Sequence, residues 1–330
     1  MKILLLLLVS SLAAAAQPDC EKVKLAEFPA GDLPKVWDTA AAPNGVRVER
    51  ESGAYKYYYG IGVPVDYVRA RQLAFFEMAL DPDRDDPTWG ASVLLMLYAN
   101  GLGVRRDIDL CIRLACGNVG HAPAELEGRT EHLKAMRTDT SAARFDICDD
   151  MTSGYSAGFC ASIQSQLTGA MWKARIDSAL KGWPEKDRAA YASLRKAASA
   201  FFAQRVYAEV DMSGTARAAM EIDESESLEE GFLQEILETS NCAAGGASAA
   251  GFGEADGRLN AVYSKVMQKK KTYWGTVTKK DIRDTQRQWI GYRDAWVVFG
   301  AVRCPAVRAE AWKTMITEER ILQLKDFLGD

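Results

Sequence analysis

The stretch Ile282-Arg283-Asp284-Thr285-Gln286-Arg287-Gln288-Trp289-Ile290-Gly291-Tyr292-Arg293-Asp294-Ala295-Trp296 decides the fold class. Within it, Ile282, Gln286, Trp289, Arg293 and Trp296 sit at offsets 0, 4, 7, 11 and 14, one stripe of an α-helix. The same offsets recur 88 residues earlier in Leu194, Ala198, Phe201, Arg205 and Ala208. In both places an acidic or polar connection and a further amphipathic helix follow. The spacing therefore predicts two copies of one helical domain, the first degenerate. Upstream of the quoted stretch, Leu259, Val262, Tyr263, Val266 and Met267 make a second helical face. Downstream, Trp312, Met315, Ile316, Ile321, Leu324 and Leu328 make a third. The middle helix is expected over about Lys279 to Phe299. No alternating apolar run of strand length occurs in the sequence, so the expectation is an all-α protein.

A different repeat lies toward the N-terminus. Tyr57-Tyr58-Tyr59-Gly60-Ile61-Gly62-Val63-Pro64-Val65-Asp66 aligns with Tyr98-Ala99-Asn100-Gly101-Leu102-Gly103-Val104-Arg105-Arg106-Asp107 at a constant offset of 41. Glycines in a G-x-G between helical segments enter the left-handed region cheaply and suit a tight helix-to-helix turn. On this reading Gly60, Gly62, Gly101 and Gly103 are turn residues, and Asp66 and Asp107 cap the helices that follow. The Y-x-x-G-x-G-V-x-x-D pattern resembles the Sel-like repeat family, relatives of the tetratricopeptide fold, over about Gly53 to Leu133. That resemblance implies paired helices stacked as a short solenoid. It departs where Ala70 of the first copy becomes Cys111 in the second, and a third copy is at best a fragment around Gly120. Two copies fall short of a free-standing solenoid, so this segment is expected to lean on the domain after it.

The C-terminal region carries Ala255-Asp256, Leu259-Asn260 and Val262-Tyr263, then Gln286, Trp289 and Tyr292-Arg293-Asp294, and finally Thr317 and Arg320. These residues resemble the domain named after the lysozyme inhibitor LprI, over about Asn241 to Phe327. The resemblance implies a small, exported, non-catalytic helical domain, associated in some members with inhibition of lysozyme. Members often have cysteines where this chain has Val297 and Trp312, so an apolar contact is expected there, with Cys242 and Cys304 free to form a different bridge. Physically the motif reads as structural. Gln286 and Arg293 share a stripe with Trp289 and Trp296, and a buried guanidinium needs an anion or carbonyl. Asp256 or Asn260 on the facing helix are the expected partners of Arg293.

Lys2, the apolar run Ile3 to Val9 and the small residues Ala13 to Ala16 have the pattern of a cleaved secretory leader. No later segment has the ~20 consecutive apolar residues of a membrane helix. The expected location is periplasmic or secreted, where cysteines pair. Of seven cysteines, Cys111, Cys116, Cys148, Cys160, Cys242 and Cys304 are candidates for disulfides, with Cys148 and Cys160 the nearest two, and the odd count leaves one thiol over. Between Val206 and Ser240 stand ten acidic residues against one basic, Arg217. Glu221, Asp223, Glu224, Glu226, Glu229 and Glu230 are the candidate partner-binding part of this tract. A charge run is ordinarily a solvated helix face, yet it would also steer a cationic lysozyme. The acidic balance and export both oppose a nucleic-acid partner.

Gly154-Tyr155-Ser156-Ala157-Gly158 fits the G-x-S-x-G spacing, but a nucleophile elbow needs a buried strand before it and a histidine after it. Residues 146–153 are polar, and His121 and His132 both precede Ser156. No H-E-x-x-H or C-x-x-C occurs, so neither a metal nor another cofactor is expected. The expected organisation is a leader (1–16), an N-terminal segment (17–52), Sel-like repeats (53–140), a degenerate LprI-like domain (145–240) and an LprI-like domain (241–330), with Ala243 to Gly253 as linker. The expected function is non-enzymatic binding of a cell-wall hydrolase such as lysozyme. A periplasmic adaptor or immunity protein is the alternative, and a hydrolase built on Ser156 comes third.

Overall fold

The structure, a computed structural model, describes residues 21–35, 53–84, 86–119, 122–139, 143–239, 242 and 251–329. The leader, most of the segment to residue 52, Gly120, His121 and most of the Ala/Gly linker lie outside the described residues. Eleven α-helices and no strand occur among the described residues, so the fold is all-α. The chain divides into two compact units, residues 1–150 and 151–330.

In the first unit, α1 (Ala54–Tyr59), α2 (Tyr67–Leu80), α3 (Gly90–Asn100), α4 (Ile108–Gly117) and α5 (Pro123–Met136) follow one another, each packed on the next. Helix α3 is the centre, with every residue from Gly90 to Ala99 buried. Gly90 lets α2 approach, since a Cβ there would lie 2.1 Å from the carbonyl oxygen of Ala74. The two repeat turns have one geometry. Gly60, Gly62, Gly101 and Gly103 all have positive φ. Asp66 accepts from the Arg69 amide and Asp107 from the Leu110 amide, each capping its helix. At the other end of the first hairpin, buried Glu77 accepts from the Ala54 amide at 2.8 Å, and burial lifts its carboxyl to about 8.

The second unit holds α6 (Gly154–Lys181), α7 (Glu185–Glu209), α8 (Arg217–Glu238), α9 (Phe252–Gln268), α10 (Lys279–Arg303) and α11 (Ala309–Lys325). Helices α7 and α10, which carry the two stripes read in the sequence, pack on each other. Around this central pair α6 lies on α8, and α9 on α11. Residues 252 and 253, placed by the sequence reading in the linker, open α9 instead.

The shared core is aromatic. Phe201 of α7 stacks on Tyr292 of α10 at 5.1 Å, and Trp296 of α10 stacks on Trp312 of α11 at 5.8 Å. Gly300 makes room for that second stack, because a Cβ there would sit 2.2 Å from the indole nitrogen of Trp312. Val297 is packed against the same core. Cys242 and Cys304 form a disulfide with a Cα separation of 5.3 Å. Cys116, Cys148 and Cys160 are also disulfide-bonded. Cys111 is the correction to the cysteine reading: it is a free thiol, buried at 0% exposure in α4, with its sulfur 3.4 Å from the Leu95 carbonyl. Its place in the stripe toward α3 keeps it inside the first unit's core.

Candidate functional site

The second unit is organised around a buried ion-pair network. Arg320 donates to Glu209 through Nη1 at 2.8 Å and Nη2 at 2.6 Å, and both side chains have no exposed surface. Arg320 Nε reaches Gln286 at 2.9 Å, and Nη1 also reaches Gln323 at 3.2 Å. Arg205 joins from one turn earlier on α7, donating to Glu209 at 2.8 Å and to Glu224 of α8 at 2.5 Å. The network ties α7, α8, α10 and α11 together. A guanidinium fits a carboxylate in this forked geometry, which is why arginine rather than lysine suits the position.

This arrangement corrects the expected partners of Arg293. That side chain pairs with its neighbour Asp294 and lies over the rings of Trp289 and Phe252. Asp256 instead accepts from Asn260 on its own helix. The Arg293 side chain is only 15% exposed, packed between the rings of Trp289 and Phe252 with its neighbour's carboxylate as its anion. The fully buried arginine of the motif is Arg320. Leu259, Trp289 and Tyr292 are core residues, Tyr263 is half-buried, and Asp294 is exposed.

Two clefts flank the network. One, of about 600 Å³, is lined by Glu209, Asp211, Met220, Asp223, Tyr273 and Trp274, among others. The second, of about 340 Å³, has Phe201, Phe202, Phe232 and Tyr292 as aromatic walls, with Gly231, Glu319 and Leu322 around them. Arg205, Glu224, Gln323 and Asp326 line both clefts. Large apolar side chains stand exposed at the rims: Tyr273 at 87% and Leu322 at 64%. The Tyr273 loop is held by Asp211, which accepts from the amides of Ser213 and Thr276. Those amide bonds hold the Asp211 carboxyl below the usual range. Gly275, with φ of 57°, is needed there because a Cβ would strike the Asp211 carboxylate.

The acidic tract divides when folded. Glu224 and Glu229 face α7, Glu229 taking both Nη atoms of Arg195 at 2.6 and 2.7 Å. Glu221, Asp223 and Glu230 are exposed and Glu226 is half-buried. A third cleft of about 400 Å³ between α6, α7 and α8 includes Trp172, Tyr191, Glu226, Glu229 and Glu230.

Helix α8 also carries Glu235, whose carboxyl meets that of Glu319 on α11. Burial, then the hydrogen bond with Glu319 and then its charge, push the Glu235 carboxyl up to about 11. Burial also raises Glu319. Tyr292, buried and beside both, is raised by burial first and then by these charges. Sequence reading missed Glu235, Glu319 and Glu209. The first and last were counted within the charge tract, although the i, i+4 spacing of Arg205 and Glu209 was a signal for an inward pair.

Ser156 lies in the first turn of α6, its amide donating to the side chain of Ser153. The residues before that helix form turns rather than a strand. His132 is within 3.1 Å of Asp150 in the first unit. Among the described residues no helix is long and apolar enough to cross a membrane.

No curated protein and no solved structure matches the chain. Residues 234–324, running from the last turn of α8 through α9, α10 and nearly all of α11, match the family described as Lysozyme inhibitor LprI.

Proposed function

We propose that this protein is an exported, non-enzymatic binder that inhibits or sequesters a cell-wall hydrolase such as lysozyme through its second unit. The observation that carries this reading is the match of residues 234–324 to a lysozyme-inhibitor family. The exposed carboxylates of Glu221, Asp223 and Glu230 on the adjoining helix give it a physical route. A basic enzyme would be steered toward that face, faster at low salt. The disulfide between Cys242 and Cys304 accords with an oxidising compartment outside the cytoplasm. The pairing of α7 with α10, flanked by α6 on α8 and α9 on α11, supports reading the unit as two copies of one three-helix domain. The test is a cell-wall lysis assay with mature protein titrated against lysozyme. Dose-dependent loss of lysis supports the reading, and full lysis at large molar excess refutes it.

A second reading, a periplasmic adaptor or immunity protein, draws on the first unit. Its two glycine turns and aspartate caps, 41 residues apart, are what a pair of Sel-like repeats would need. Stacked helix pairs of that kind commonly present a binding surface. Capture on the first unit of a partner other than a hydrolase, alongside inactivity in the lysis assay, would favour it.

A further inference from the structure

The loop between α9 and α10, residues 269–278, is held at both ends and free at its tip. At its start, Lys269 donates from Nζ to the carbonyls of Phe327 and Leu328 at 3.1 and 3.0 Å. Further on, the Trp274 indole donates to the Phe327 carbonyl at 2.8 Å, and its ring meets the Phe327 ring edge-on. Thr276 then gives its amide to Asp211 and accepts the Met212 amide at 2.8 Å on its hydroxyl. Val277, next along, is buried. Between these anchors Lys270, Lys271, Thr272 and Tyr273 are exposed, Tyr273 at 87%. Neither Lys270 nor Lys271 has an ion-pair partner among the described residues.

A single exposed tyrosine is ordinary on a protein surface. On a loop already ordered by folding, it can dock with little further loss of entropy, the property of aromatic anchors at interfaces. The surrounding charge adds direction. Lys270 and Lys271 make the tip positive, while Tyr273 shares the rim of the 600 Å³ cleft with Asp211, Asp223, Glu224 and Asp326. A positive tip in a negative surround is the electrostatic complement of a basic protein with a negative cleft. Glycoside hydrolases have such a cleft, with a pair of carboxylates flanking the bond to be cut.

We propose that the tip of this loop enters the substrate cleft of the hydrolase. Tyr273 takes the place of a sugar ring, and Lys270 and Lys271 face the catalytic carboxylates. The acidic side chains around the loop then lie against the basic surface that borders the cleft. The proposal rests on the reading of the second unit as an inhibitor, and it names the contact that blocks the enzyme.

The test uses the full mature chain, a basic animal-type lysozyme and a soluble chitooligosaccharide as substrate. Inhibition is expected to be competitive, relieved as the oligosaccharide is raised. Tyr273→Ala is expected to weaken it by about tenfold or more, and Tyr273→Phe to retain it. Thermal unfolding of both variants is expected to match the native chain, because the side chain is exposed. Lys270→Gln with Lys271→Gln is expected to weaken binding as well. So is changing the two catalytic carboxylates of the lysozyme to amides. Combining those two changes is expected to cost little more than either, as for groups in direct contact. Inhibition that the oligosaccharide does not relieve, full inhibition by Tyr273→Ala, or strictly additive losses each overturns the proposal. Inhibition that survives Tyr273→Ala removes the loop and keeps the inhibitor. A native chain without effect on lysis removes both.

Discussion

Glu209 and Arg320, 111 residues apart, meet through two hydrogen bonds of 2.8 and 2.6 Å with neither side chain exposed. The glutamate ends α7, within the helices that precede the family-matched segment, and the arginine lies on α11 inside it. The matched segment therefore supplies amide acceptors to its buried arginine, from Gln286 and Gln323, but not the carboxylate. It depends on the preceding helices of the same unit.

Removing Arg320 takes away the forked partner of buried Glu209 and leaves it with Arg205 alone. Arg320→Met is expected to lower unfolding stability by about 3–5 kcal/mol, measured by denaturant titration. Arg320→Lys keeps the charge but loses the fork, and is expected to fall between the two. A native-like Arg320→Met variant would contradict the burial argument.

The Glu235–Glu319 pair sets a pH dependence of opposite sign to the usual carboxylate case. Folded, the pair retains a proton that the unfolded chain releases above its ordinary value of 4.5. Stability is thus greatest below that value and declines as pH rises toward the raised one. Glu235→Gln removes this titration, and its amide can still donate to Glu319. The variant is expected to be more stable than the native chain by about 1 kcal/mol or more at pH 8, with little difference at pH 4. Thermal unfolding across pH checks it, and equal slopes for the two proteins would refute it.

Charge reversal on α8 tests the electrostatic route to the partner. Glu221, Asp223 and Glu230 are exposed, so the triple change to lysine is expected to leave the fold intact. Association with lysozyme is expected to slow by about tenfold or more, with a weaker salt dependence. An unchanged association rate in stopped-flow measurements would assign the docking face elsewhere.

Cys111 should behave as an inert thiol. Burial pushes it far above the ordinary thiol range, so little thiolate exists to react. Peptide mapping after alkylation is expected to find Cys111 unmodified in the native protein and fully modified after unfolding without reductant. Rapid labelling of the native chain would mean that α3 and α4 separate readily.

The helices themselves were legible because apolar spacing is a local property. The stripes through Leu194–Ala208 and Ile282–Trp296 placed α7 and α10, and the glycine and aspartate spacing placed the two turns of the first unit. What spacing could not supply was the partner of each inward polar group. Arg293 and Arg320 look equally suited to burial in the sequence, yet one packs over Trp289 and pairs with its neighbour Asp294 while the other meets Glu209. Likewise the acidic tract reads as one uniform run. Folding turns Glu224 and Glu229 against arginines of α7, leaves Glu221 and Asp223 in water, and sets Glu235 against another carboxyl.

The sequence alone determined the all-helical class and the two periodic patterns, because helix formation and capping depend on residues three or four apart. Only the tertiary structure decided which charges are paired, which are solvated and which stand against a like charge. Those outcomes depend on the dielectric and the neighbours that α7, α8, α10 and α11 bring together from distant parts of the chain.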